Sequence, residues 1–369
     1  MSIPPFALIP AGLPATVPFI GPETLQRQRG AAFAARLGAN ENGFGPSPRA
    51  IAAMRAGLDL IWQYGDATSH DLRHALADHH GISPAHLTVG EGIDGLLGNL
   101  VRLMVAPGDR VVTSDGAYPT FNYHVAGFGG LLDKVPYHND AEDPQALVHA
   151  ARRSGARLVY LANPDNPMGS WHDGAVIEGM LADLPPDCLL VLDEAYADFA
   201  PPTAIPRIAP TDPRVIRMRT FSKAHGIAGA RIGYAIGHPD LIAGFDRIRN
   251  HFGVNRTAQD GALAALADRD WLAETVARVA RARDRIALIG ADHGLTALPS
   301  ATNFVALDTG RNGAYARALV AALQDRGVFV RMPGVAPLDR CIRVSCAPDP
   351  ELDVLAARLP DALSGLTPR

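Results

Sequence analysis

Lysine is nearly missing from this chain. Of its 34 basic residues only Lys134 and Lys223 are lysines, and the other 32 are arginines. A codon bias toward arginine accounts for the background, but it sharpens the question at each lysine kept: arginine stays protonated, whereas lysine can lose its proton and attack a carbonyl. Cysteine is scarce too. Cys188, Cys341 and Cys346 are an odd set without metal-ligand spacing, which excludes a disulfide scaffold and a cysteine metal site, and reads as reduced thiols. No apolar run reaches the ~18 residues of a membrane span. The first 22 residues lack charge, but they hold Pro4, Pro5, Pro10, Pro14, Pro18 and Pro22 and no basic start. That pattern excludes the continuous helix of a signal peptide and predicts an extended arm on a cytoplasmic protein. A net charge of −4 leaves no electrostatic footprint for nucleic acid or an anionic membrane.

What is present is an ordinary globular composition. A hydrophobic content of 47% in 369 residues excludes a disordered or fibrous chain and points to about two domains. Ser47-Pro48 is a capped helix start followed by the apolar positions Ile51, Met54 and Leu58. A second helix is expected from about Ser69 to His80, and a third from Ile93 to Met104. Strands are expected at 87–89, 110–113, 157–162, 188–193, 214–219 and 231–236, several of them continuous apolar runs typical of a sheet covered on both faces. The fold class expected is α/β: an arm over residues 1–45, a large domain with a mostly parallel sheet over 46–255, and a smaller α+β domain over 256–369.

Gly90-Glu-Gly-Ile-Asp-Gly95 is a literal GxGxxG before a helix, and Asp115 lies 20 residues on. A nucleotide-dependent oxidoreductase could use it, but the motif is weak alone. A single phosphate on the backbone amides of the helix start is the alternative reading. Four later stretches weigh more. Arg219-Thr-Phe-Ser-Lys223 through Arg231 puts a lysine in an apolar, glycine-rich segment, a setting suited to a Schiff base. Val191-Leu-Asp-Glu-Ala-Tyr196 delivers a carboxylate at the end of a buried strand, where ligands of open α/β sheets bind. Asn163-Pro-Asp-Asn-Pro-Met-Gly169 and Asp115-Gly-Ala-Tyr-Pro-Thr-Phe121 place amides and an aromatic ring at the same kind of edge.

With these stretches, and with Asn40-Glu-Asn-Gly-Phe-Gly, Tyr64-Gly-Asp and Cys341-Ile-Arg-Val-Ser345, the chain resembles the fold-type I pyridoxal-phosphate-dependent aminotransferases, nearest the histidinol-phosphate aminotransferases. The resemblance runs from about Leu37 to Ser345. It implies that Lys223 carries the cofactor covalently and moves the Cα proton, that Asp193 pairs with the ring nitrogen, and that Tyr196 and Asn166 hydrogen-bond the ring oxygen. Phe121 would stack on the ring. Ser222, Arg231 and the amides at Gly92, Ile93 and Asp94 would take the cofactor phosphate, with Tyr64 reaching it across a homodimer interface. Arg343 would clamp the substrate carboxylate, and Arg331 would be a second anion contact. Neither a metal nor a catalytic role for His225 is expected, Glu194 is read as support for its loop, and Lys134 is read as a surface residue.

Three stretches depart from the family pattern. The arm's Val17-Pro-Phe-Ile-Gly21 puts Phe19 where a tyrosine is usual, Phe121 replaces a common tyrosine, and NPDNPMG replaces NPNNPTG. The activity implied is amino transfer between an amino acid or amine (histidinol phosphate, or an aromatic or hydrophobic amino acid) and a 2-oxo acid such as 2-oxoglutarate. A pyridoxal-phosphate decarboxylase of the phosphothreonine type would use the same lysine and is the nearest alternative.

Overall fold

The computed structural model describes residues 4–15 and 19–366. Strand β1 is Ala35–Arg36. Strands β2 (Leu87–Gly90), β3 (Arg110–Ser114), β4 (Leu131–Val135), β5 (Leu158–Ala162), β6 (Leu189–Asp193), β7 (Val215–Thr220) and β8 (Gly233–Gly237) form one sheet in the order β2-β8-β7-β6-β5-β3-β4. The pairings among β3 to β7 are parallel, and β8 runs antiparallel to both β7 and β2. The C-terminal ends of β2, β3, β5, β6 and β7 therefore share one edge with the start of β8.

The expected apolar runs are strands because both faces of the sheet are covered. Tyr160 and Val191 pack on one side with Leu97, Val111 and Phe121, while Val159, Leu190 and Leu192 pack on the other with Leu147 and Ile177. Local signals hold as well. Ser47 caps the helix Pro48–Ala56, its Oγ accepting from the amides of Arg49 and Ala50 at 3.0 and 3.4 Å. The helix His70–His80 ends at Gly81 as expected, but Asp66 Oδ2 accepts from the His70 amide at 2.7 Å.

The C-terminal part holds β9 (Thr296–Ala297), β10 (Phe304–Asp308), β11 (Val328–Phe329) and β12 (Cys341–Ser345). Antiparallel β12, β10 and β9 make a three-stranded sheet, while β1 pairs parallel with β11. Ala35 and Leu37, within the arm expected over residues 1–45, thus belong to the core of the C-terminal part, with Val305, Leu319 and Leu355. The helix Arg256–Ala267, expected beyond the domain break, packs instead through Ala258, Ala262 and Ala265 into the core that holds Leu76, Leu87 and Tyr234. No helix among the described residues is long and apolar enough to cross a membrane, and no cluster of possible metal ligands occurs among them.

Candidate active site

Along the shared edge lies a cavity of about 720 Å³, within the range of small-molecule sites. Lys223, Asp193, Tyr196, Ile93, Asp94 and Asn166 line it, and so do Ser222, Arg231, Arg331, Arg343 and Phe19. Residues far apart in sequence meet because each follows or ends a strand that terminates at this shared edge: Asp193 ends β6, Asn166 follows β5, and Ser222 and Lys223 follow β7.

Asp193 is 5% exposed. The Tyr160 hydroxyl donates to its Oδ2 at 2.7 Å and the Ala195 amide to its Oδ1 at 2.9 Å. Burial nonetheless pushes its pKa up to about 6, because the charged form lacks compensation, and a cationic partner would supply it. Lys223 Nζ donates to the carbonyl of Asn40 at 3.1 Å and lies 5.5 Å from the centre of the Tyr196 ring. The Asn40 side chain in turn donates to the Tyr196 hydroxyl at 3.1 Å, and its amide donates to Ser345 Oγ at 3.0 Å.

A second cluster sits where β2 gives way to the helix Gly92–Met104. Arg231 Nη1 donates to Ser222 Oγ at 3.3 Å, and Nη2 lies 3.6 Å from Asp94 Oδ2. Arg231 takes a left-handed backbone with φ of 55°, a strained choice for a residue with a side chain. Gly92, with φ of 77°, does not line the cavity; a Cβ there would stand 2.6 Å from Arg231 Nη2. The helix start, the serine hydroxyl and the guanidinium make an anion cradle. The dinucleotide reading of the same glycines does not fit: β2 is an edge strand whose neighbour β8 is antiparallel, whereas that fingerprint belongs to a parallel βαβ unit.

The substrate side is strongly cationic. Arg331 and Arg343 face each other across a bridge, each amide bonded to the other's carbonyl at 3.3 and 2.6 Å. Arg343 Nη1 donates to Asn166 Oδ1 at 2.5 Å, its guanidinium lies 5.0 Å from the Phe304 ring centre, and its buried Nε has no hydrogen-bond partner among the described residues. Burial, with Arg331 adding to it, pushes Arg343 down to about 10. Arg331 Nη2 donates to the carbonyl of Ile20 at 2.8 Å, and its guanidinium lies 5.3 Å from Phe19 and 5.6 Å from Phe329. The arm therefore reaches the cavity through Phe19 and Ile20; Val17 and Pro18 of the same stretch lie outside the described residues.

Phe121 does not reach the cavity. It is fully buried and stacks on Tyr160, centroids 4.7 Å apart. From this stretch the aromatic that faces the cavity is Tyr118, whose hydroxyl donates to Asp94 Oδ1 at 2.8 Å. The physical reason is the helix start at Pro119: Tyr118 precedes it at the sheet edge, whereas Phe121 is turned toward the core. We expect Phe121→Ala to destabilise the protein by about 3–5 kcal/mol in denaturant unfolding. A change under 1 kcal/mol would contradict this core placement. Tyr64 also lies off the cavity, 76% exposed and stacked on Phe252 at 4.5 Å. His225 packs on Phe221, and Glu194 is buried between Arg217 and Arg219 at 2.7 and 2.8 Å. The sequence gives Asn40, Tyr118 and Tyr160 no role; Asn40 and Tyr118 nonetheless left a signal, since each lies within one of the motifs above.

A pyridoxal phosphate group fits these residues. Among the described residues the buried Asp193 has no cation in direct contact yet is suited to one, the cradle at Arg231 is suited to a phosphate, and the unpartnered Nε of Arg343 is suited to an anion.

Comparison with known proteins agrees with the geometry. A family model described as aminotransferase class I and II matches residues 35–359. The histidinol-phosphate aminotransferase of Roseiflexus castenholzii is 36% identical over 354 residues, 94% of each chain. That of Moorella thermoacetica is 34% identical over 327 residues, 88% of this chain and 84% of the relative. The crystal structure of histidinol-phosphate aminotransferase from Sinorhizobium meliloti in complex with pyridoxal-5'-phosphate is 54% identical, with a TM-score of 0.96 over 99% of both chains. Fold and site thus define a pyridoxal-phosphate-dependent aminotransferase. The chain belongs to the class I and II aminotransferases, and within them it resembles the histidinol-phosphate enzymes. Neither the decarboxylase nor the oxidoreductase alternative is favoured by these relatives.

Proposed function

We propose that the enzyme moves an amino group between histidinol phosphate and a 2-oxo acid such as 2-oxoglutarate, as a cytoplasmic homodimer. The observation that carries this reading is the pair Arg331 and Arg343, opposed across one bridge on the cavity wall. Like charges directly opposite each other are destabilising, and anionic substrate groups between them reverse that penalty. Relatives named as histidinol-phosphate aminotransferases support the donor. An exposed apolar patch of Leu58, Ile61, Trp62, Tyr64 and Phe252 supports the dimer, with Tyr64 completing the neighbouring site.

Bound pyridoxal phosphate supplies an electron sink for the charge left at the donor's Cα. Asp193 would hold the ring nitrogen protonated, Tyr118 would cover the ring, and Asn166 and Tyr196 would bond its oxygen. Ser222, Arg231 and the amides of Ile93 and Asp94 would hold its phosphate. Lys223 Nζ anchors the cofactor and, once displaced, removes the donor's Cα proton as a general base. Arg343, held by Asn166, orients the carboxylate of an amino- or oxo-acid substrate with a planar fork.

The test is the visible absorbance of the lysine-bound cofactor with histidinol phosphate, glutamate or phenylalanine added separately. Histidinol phosphate and glutamate are expected to bleach it. Bleaching by phenylalanine and not histidinol phosphate would move the enzyme to aromatic donors, and no bleaching by any of the three would overturn the transamination reading.

A further inference from the structure

Among the described residues, five cations line the cavity: Lys134, Lys223, Arg231, Arg331 and Arg343. Four of them have assignments in the reading above. Lys134, expected to be an ordinary surface residue, is the fifth, and it is one of only two lysines in the chain. It stands on β4, one of the two edge strands of the sheet, and its Nζ lies 3.2 Å from Asp115 Oδ1. That pair is loose, with the two side chains 46% and 42% exposed, and exposed pairs of this kind hold weakly.

Its place in the wall gives the cation a use. Asp115 precedes Gly116, where a Cβ would come within 2.6 Å of Val335 Cγ2. Val335 belongs to the loop Met332–Val335 that follows Arg331, and this loop lines the cavity too. Lys134 and Arg331 therefore stand beside two segments that meet at one end of the cavity. Arg331 is already engaged by the carbonyl of Ile20 and by the Phe19 and Phe329 rings, and Phe19 offers a substrate no hydrogen bond.

We propose that Lys134 is a specificity residue that exchanges Asp115 for the distal anion of a substrate, the group remote from the reacting amine. This deepens the proposed transaminase reading and rests on it. A lysine suits the task because a compact ammonium on a flexible stem can swing from one anion to another. Two sources carry that chemistry: the phosphate of an amino-alcohol phosphate, and the second carboxylate of a dicarboxylic amino or oxo acid.

Two substrate pairs separate these sources in the holoenzyme: L-histidinol phosphate against L-histidinol, and L-glutamate against L-glutamine. The quantity read is the ratio of kcat/KM within each pair. Lys134→Gln is expected to lower the ratio roughly fivefold in at least one pair, and Lys134→Arg to retain most of it. Asp115→Asn, which releases the lysine, is expected to raise the same ratio, a direction that misfolding cannot mimic. A fall in the first pair assigns phosphate, and a fall in the second assigns carboxylate. If the wild type prefers histidinol phosphate and Lys134→Gln leaves both ratios unchanged, the role of Lys134 is refuted while the proposed function stands. If the wild type shows no preference in either pair, both are refuted.

Discussion

Lys223→Ala is expected to lower kcat by about four orders of magnitude or more, the upper range for loss of a general base combined with loss of the covalent anchor. The geometry isolates that effect from folding. Lys223 Nζ makes its hydrogen bond to the carbonyl of Asn40, which also accepts from Asn303 Nδ2 at 3.1 Å. Removing the lysine therefore leaves no orphaned acceptor, and the variant should unfold near the wild-type midpoint. Lys223→Arg is expected to be nearly as inactive. The guanidinium stays protonated at any working pH and can neither attack a carbonyl nor take a proton. Single-turnover kinetics with glutamate, together with the visible absorbance of the bound cofactor, measure both losses. Activity above a few per cent of wild type in either variant would sink the assignment of Lys223. The same contrast explains why a chain with 32 arginines keeps lysine here.

Much of this site was legible because its residues terminate buried strands. The apolar runs of β5 and β6 locate their own C-terminal ends, and a sheet of parallel strands brings those ends together. What escaped the sequence depends on rotation or long-range pairing. Tyr118 and Phe121 sit three residues apart in one motif, and only the helix start at Pro119 decides which ring faces the cavity. Arg331 and Arg343 were both candidates, but nothing local shows that they oppose one another. Nor does the sequence reveal Glu142, which is 2% exposed and takes hydrogen bonds from Ser114 Oγ and the Ala162 amide. It ties the ends of β3 and β5 together, near Asp165, whose pKa burial raises to about 7. The core shared by β1 and the C-terminal part was hidden for the same reason. Two residues of strand carry no periodicity, and their partner lies nearly 300 positions away.

Asp193→Asn should separate stability from activity. A carboxylate raised from 3.8 to about 6 by burial binds its proton more tightly in the folded than in the unfolded chain. Charging it therefore costs folding free energy that grows as pH rises from about 4 to 6 and is fully present above, roughly 3 kcal/mol for a difference of that size. Asparagine removes the cost but has one acceptor oxygen for the two donors, Tyr160 and the Ala195 amide, a loss of about 1–2 kcal/mol. Without cofactor at pH 7.5, Asp193→Asn is thus expected to be about 1 kcal/mol more stable than wild type. The sign should reverse near pH 4, where the wild-type carboxyl is protonated in the folded state and about half protonated in the unfolded, so that the charging cost has fallen below that of the lost hydrogen bond. Activity moves the other way. An amide cannot hold a ring nitrogen protonated, so kcat should fall by about 10²–10³, the scale for loss of one preorganised electrostatic partner. Thermal unfolding of the cofactor-free variants at both pH values, alongside kcat, tests the pair of claims. A cofactor-free Asp193→Asn less stable than wild type at pH 7.5 would mean that the buried charge is already compensated by the protein itself. The aspartate would then not be held in reserve for a cationic ring.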